Sequence, residues 1–219
     1  MRTRLLISLL LLTLLPLHSL AGAAQTDAAR FKAEYEILNG QSNFDGSAVY
    51  ASLDIAPDNP MAYADETGLM AFLAGGTGIL YLGFAECPWC RTLVPALLEA
   101  ARDSAYPGQI LYYDALHDRD QLERDEDGNL QVTEPGTDLY RHLVDVLYDY
   151  LNPYAGLDDE TIKRIYFPTT VFVANGEILS VHLVTVESQT DPYAPLDDAQ
   201  HAELLALLTA QIQAVRDAE

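Results

Sequence analysis

Hydrophobic spacing divides the chain into alternating helical and extended stretches. Over residues 26–38, Phe31, Tyr35 and Leu38 share one helical face, and Asn39-Gly40 stops the run. Residues 49–55 alternate Val49, Ala51, Leu53 and Ile55, the period of a half-buried strand, and Pro57-Asp58-Asn59-Pro60 is a turn cluster. A helix is predicted over 65–74, closed by Gly75-Gly76. An apolar run over 79–84 then reads as a buried strand, and helical spacing resumes over 91–101. Residues 109–114, rich in Tyr and Ile, predict a further strand.

Residues 115–164 form a long polar and helical segment. It holds a hairpin around Asp127-Gly128 and a helix over 137–151, with Leu139, Leu143, Val146, Leu147 and Tyr150 on one face. A short helix is predicted over 158–165. Residues 169–174 and 177–186 read as paired strands around the two-residue turn Asn175-Gly176. A terminal helix over 196–215 carries Leu204, Leu205, Leu208 and Ile212 on its apolar face. There is no internal repeat.

The first residues change the picture. Arg2 and Arg4 precede an apolar stretch over 5–15, and Ala21-Gly22-Ala23 offers a cleavage site, so residues 1–23 read as an export signal. The stretch is short of the roughly 20 residues of a membrane span, so an uncleaved anchor is the lesser reading. Cysteine is absent where a lipoprotein signal would need it, at Ala23. The expected location is exported: periplasmic, extracellular or at the cell surface. The balance of 33 acidic against 12 basic residues, net charge −21, argues against nucleic-acid binding, which needs cationic patches. It also gives a soluble, self-repelling surface.

The only two cysteines stand together in Cys87-Pro88-Trp89-Cys90, between the strand over 79–84 and the helix over 91–101. A thiol at a helix N-terminus meets unpaired N–H groups and the positive end of the dipole, which favour a thiolate. A thiolate beside a second thiol is a dithiol–disulfide exchange centre. A structural disulfide would close too small a loop to stabilise much, and a zinc site lacks a second C-x-x-C, its histidines being scattered. Residues 123–134 imitate a calcium loop, but Glu123 stands where Asp is wanted and Pro135-Gly136 breaks the following helix; a D-G turn explains the same residues. No metal or other cofactor is expected.

The C-x-x-C after a strand, followed by Phe167-Pro168-Thr169 before a strand and by Asn175-Gly176, resembles the thioredoxin-like superfamily over about residues 65–215. In detail the chain is similar to exported bacterial thioredoxin-like proteins of the bacteriocin transport accessory type. The resemblance implies an α/β fold, a central mixed sheet flanked by helices, with a mostly helical insertion at about 115–165 before a cis-proline strand. Residues 24–62 would be an N-terminal extension and 63–219 the thioredoxin-like domain. Cys87 would attack and Cys90 resolve. Pro88, Trp89, Phe167, Pro168 and Thr169 would contact the substrate; Trp89 packing on the insertion is an equal reading of that residue, and a trans Pro168 starting a strand is the lesser reading of the proline. Pro95 would kink the redox helix.

The chain departs from the resemblance at Tyr81, where thioredoxins carry a buried acid; Glu86 or Asp114 would have to relay protons instead. The expected function is extracytoplasmic thiol–disulfide exchange on disulfide- or dithiol-containing exported proteins, with a second redox protein as electron partner. The alternative is a non-enzymatic accessory or binding protein for secretion that uses the fold's groove.

Overall fold

The computed structural model describes residues 25–218; the expected signal at 1–23 lies outside them. Five strands make a mixed sheet in the order β1-β3-β2-β6-β7: β1 (Met61–Tyr63), β2 (Gly78–Gly83), β3 (Ile110–Asp114), β6 (Thr169–Ala174) and β7 (Glu177–Leu183). β1, β3 and β2 run parallel, β6 is antiparallel to β2, and β7 to β6. The helices are α1 (Asp27–Glu36), α2 (Glu66–Gly75), α3 (Pro88–Asp103), α4 (Asp138–Leu147) and α5 (Asp198–Asp217). α3 and α5 pack on each other, α5 also meets β2, β6 and β7, and α1 packs on β1. Strands β4 (Gln121–Arg124) and β5 (Leu130–Glu134) form a separate hairpin.

The strong sequence signals became elements. β2 and β6 are buried at every position, as central strands are; β6 buries Thr169 and Thr170 ahead of its apolar run over 171–174. Side-chain oxygens of Thr26, Asp65, Thr137 and Asp197 cap α1, α2, α4 and α5, each taking up an N–H that the helix leaves unpaired. Asn175 and Gly176 turn β6 into β7 with φ of 52° and 80°, the left-handed pair of a two-residue hairpin. A Cβ on Gly176 would lie 2.7 Å from the Ala74 carbonyl, so the turn needs glycine there.

Four expectations are corrected. Residues 49–55 are extended but form no strand, because side chains take up the backbone groups that a ladder would use. Asn39 brackets Leu53 through its N–H (2.9 Å) and carbonyl (2.7 Å). Glu36 accepts the Ile55 N–H, and Lys32 donates to the Ile55 carbonyl. The edge strand is instead β1, just after Pro60, so the expected boundary at 62/63 falls inside a strand. No helix forms over 158–165: Asp158 has φ of +50°, Asp159 accepts from the Thr161 N–H and hydroxyl, and Pro153 bridges to Lys163. The insertion is therefore not mostly helical. It comprises the β4–β5 hairpin, α4, a 3₁₀ turn at Tyr148–Tyr150, and irregular chain.

One core runs through all of these parts. It takes Phe31, Tyr35, Leu53 and Ile55 from the N-terminal segment, and Leu139, Tyr140, Leu143, Leu147 and Ile165 from the insertion. Among the described residues no helix is long and apolar enough to cross a membrane.

Candidate active site

β2 ends at Gly83, residues 84–86 turn, and α3 starts at Pro88 with Cys87 as its N-cap. Proline suits the first helical position because its missing N–H would have had no partner there. Cys87 Sγ accepts the Cys90 N–H at 3.3 Å and lies 3.5 Å from the Phe167 carbonyl, to which the protonated thiol donates. The register that pairs Leu82 with Thr169 brings Phe167-Pro168, whose peptide bond is cis, alongside the cysteine turn. Phe84 and Phe167 meet edge to face at 5.6 Å beside it.

The two thiols are electrostatically unequal. Hydrogen bonding from the Cys90 thiol lowers the pKa of Cys87; the Cys90 and Trp89 backbone N–H groups and the charge of Arg119 act in the same direction, against the cost of burial. Burial pushes the Cys90 thiol well up, and the neighbouring Cys87 adds to it. Cys87 is 6 % exposed and Cys90 fully buried, so a reactant meets only Cys87.

The deep side of Cys90 is built from tyrosine. A Cβ on Gly83 would lie 2.5 Å from the Tyr81 hydroxyl and 2.9 Å from Cys90 Sγ; the bare glycine lets both crowd one point. The Tyr81 hydroxyl lies beside the Cys90 sulfur and stands 2.9 Å from the Tyr35 hydroxyl. Tyr81 stacks on Tyr112, whose hydroxyl donates to Glu34 at 2.8 Å, and Tyr63 donates to the same carboxylate.

Of the residues singled out from sequence, Cys87, Cys90, Pro88, Trp89, Phe167 and Pro168 meet here. Trp89 is half-buried and packs against the core's edge. Thr169 is fully buried and donates its hydroxyl to the Tyr166 carbonyl at 2.6 Å, so it offers a client no side-chain contact. Glu86 is exposed, and Asp114 caps the Leu116 N–H at 2.9 Å; no hydrogen bond joins either to a cysteine among the described residues. The hydroxyl against Cys90 is that of Tyr81. Two arginines escaped sequence reasoning. Arg91 is almost wholly buried. It donates to the Tyr35 and Ala51 carbonyls (2.7 Å each) and to Asn39 (2.8 Å), tying α3 to the N-terminal segment. Arg119 lies over the Phe84 and Phe167 rings. Its lone position in a polar stretch carries no periodic signal.

Comparisons with family models, with curated proteins and with solved structures return no match.

Proposed function

We propose that this protein is a thioredoxin-like thiol–disulfide oxidoreductase that acts on exported proteins. One observation carries the reading: Cys87 caps α3 with its sulfur on the Cys90 N–H, while Cys90 lies buried behind it with its pKa raised. That is the asymmetry of an attacking and a resolving thiol. The strand order β1-β3-β2-β6-β7 and the position of Phe167-Pro168 beside Cys87 support the thioredoxin-like assignment. The export assignment draws on residues 1–23 of the sequence.

In the reducing direction the Cys87 thiolate attacks one sulfur of a client disulfide. A Cys87–client bond forms, and the other client sulfur leaves as a thiolate and takes a proton. Cys90 then loses its proton and attacks Cys87, and the second client thiol is released. Two electrons pass to the client, and the protein is left with a Cys87–Cys90 disulfide for its redox partner to reduce. The reverse sequence oxidises a client dithiol. The proton that Cys90 gives up passes to the departing client thiolate, and the Tyr81 hydroxyl near that sulfur, which burial keeps protonated, steadies the Cys90 thiolate as a donor.

The near-complete burial of Cys87 favours a second reading, a binding protein that uses the groove without turnover. One assay separates the two. The oxidoreductase exchanges with a small aromatic disulfide, and Cys90→Ser accumulates reducible client adducts on Cys87. Wild type that does not exchange, together with a Cys90→Ser variant that traps nothing, sinks the oxidoreductase reading.

A further inference from the structure

Arg119 stands beside the dithiol with no acid to hold. It follows β3, in the stretch that leads to β4. Its guanidinium carbon is 4.9 Å from the Phe167 ring centre and 5.7 Å from that of Phe84. Those rings frame Cys87, since the Phe167 carbonyl is the group that the Cys87 thiol touches. The Nε of Arg119 is buried without a hydrogen-bond partner, and among the described residues no carboxylate lies within ion-pair distance of it.

Among the described residues, Arg102, Arg124, Arg141 and Lys32 have carboxylate partners, and Arg91, Arg164 and Arg216 donate to backbone carbonyls. A half-buried guanidinium without an ion pair costs desolvation, which the faces of Phe84 and Phe167 offset only in part. The groups around it account for where its field goes. Arg164, of like charge, and the neutral Tyr140 and Tyr154 lie on its insertion side. Asp120, next in sequence, lies in the fields of Arg164, Arg141 and Arg119, that of Arg164 the strongest, and makes no ion pair with Arg119. Around Cys87 stand Cys90 on α3, Tyr35 on α1 and Tyr50 on the extended segment, none of them cationic. Glu86 is exposed, with its field on Tyr50, Arg91 and Asp114.

We propose that Arg119 is a positioning residue for thiol exchange: its unpaired guanidinium, seated on Phe84 and Phe167, holds the negative charge that Cys87 carries as a thiolate. The proposal rests on the oxidoreductase reading. Arg119 keeps its own proton and exchanges no electrons. It favours the ionised form of Cys87 before attack and steadies the charge as it spreads over the attacking, central and leaving sulfurs. The segment after β3 thereby contributes to the chemistry as well as to the core.

The test uses the reduced full chain and three variants: Arg119→Gln, Arg119→Met and Arg119→Lys. Thiolate absorbance near 240 nm is followed against pH, together with the rate on a small aromatic disulfide. Arg119→Met keeps the aliphatic contact with the rings and drops the charge; it and Arg119→Gln should move the thiolate midpoint upward. Below the wild-type midpoint their rate should fall about threefold, because part of the lost thiolate fraction is offset by a more basic, more nucleophilic sulfur. Above both midpoints the rates should meet or cross, which a merely structural defect would not produce. Arg119→Lys, a point charge in the same place, should restore most of the midpoint. Coincident midpoints for wild type and both neutral variants overturn the proposal, even if wild type exchanges. Failure of wild type to exchange overturns the oxidoreductase reading instead, and the absorbance midpoint still reports on Arg119.

Discussion

Replacing Arg91 with methionine tests whether one buried cation joins the N-terminal segment to α3. The guanidinium reaches the Tyr35 carbonyl at the C-terminal end of α1, the Ala51 carbonyl on the extended segment, and Asn39, which itself holds Leu53. Positive charge at that helix end also meets the negative end of the dipole. Methionine fills much of the aliphatic volume and supplies no donor. The buried Tyr35 carbonyl and the part-buried Ala51 carbonyl lose their partner, at up to about 1–3 kcal/mol each. Relief from burying a charge, whose cost shows as a lowered Arg91 pKa, offsets part of this. The net loss should be about 2–4 kcal/mol, read as a lower urea midpoint at unchanged slope. At about 2–4 °C per kcal/mol for a chain of this size, Tm should fall by roughly 10 °C. Hydrogen exchange should quicken first at the Leu53 and Ile55 amides. Arg91→Lys should recover only part of the loss, because one compact ammonium cannot span acceptors on three segments. A loss under about 1 kcal/mol for Arg91→Met, or unchanged protection at Leu53 and Ile55, would refute the idea that this contact pins the segment.

Tyr81→Phe should cost about 1–3 kcal/mol in urea unfolding, since the buried Tyr35 hydroxyl loses its partner, and should slow release of a client trapped on Cys87. Gly83→Ala should destabilise by about 1–3 kcal/mol through crowding of Tyr81 and Cys90, with slower closure of the Cys87–Cys90 disulfide as the second readout. Alkylation at pH 7 should modify Cys87 well before Cys90; the reverse order, found by peptide mapping, would reverse the two roles. Cys87 has a folded pKa below its unfolded value, so its ionisation stabilises the fold above the unfolded value. That contribution should fade as pH falls through the folded pKa, and Cys87→Ala should lack this pH dependence in urea titrations.

Legibility followed the strength of each local signal. β2 could be read from its apolar run and β6 from β-branched and aromatic residues before a turn signal, and the Asn175-Gly176 turn because its residues suit positive φ. The alternation over 49–55 misled because an extended segment bonded by side chains shows the same period as a strand; Leu53 and Ile55 are buried either way. β1 spans three residues, too few to show a period. The helical spacing over 158–165 was real as a pattern, but Asp158 turns the chain to positive φ there. At the site, the cysteines and Phe167-Pro168 were visible as motifs. Tyr81 was visible as a departure, but its place beside Cys90 depends on the closeness that Gly83 permits. Arg119 and Arg91 were invisible, because their roles come from groups 48 and 56 residues away, at Phe167 and Tyr35.

Trp89 is the only tryptophan in the sequence, and it sits between the two cysteines. Its indole is half-buried, and its own backbone amide is directed at Cys87. Intrinsic fluorescence of this protein excited at the red edge therefore comes from one fluorophore at one place. Sulfur in its disulfide form is an efficient quencher at short range, so oxidation and reduction should switch the emission without any added dye. The chain carries its own optical gauge of the state of its dithiol, readable in a cuvette or a stopped-flow trace.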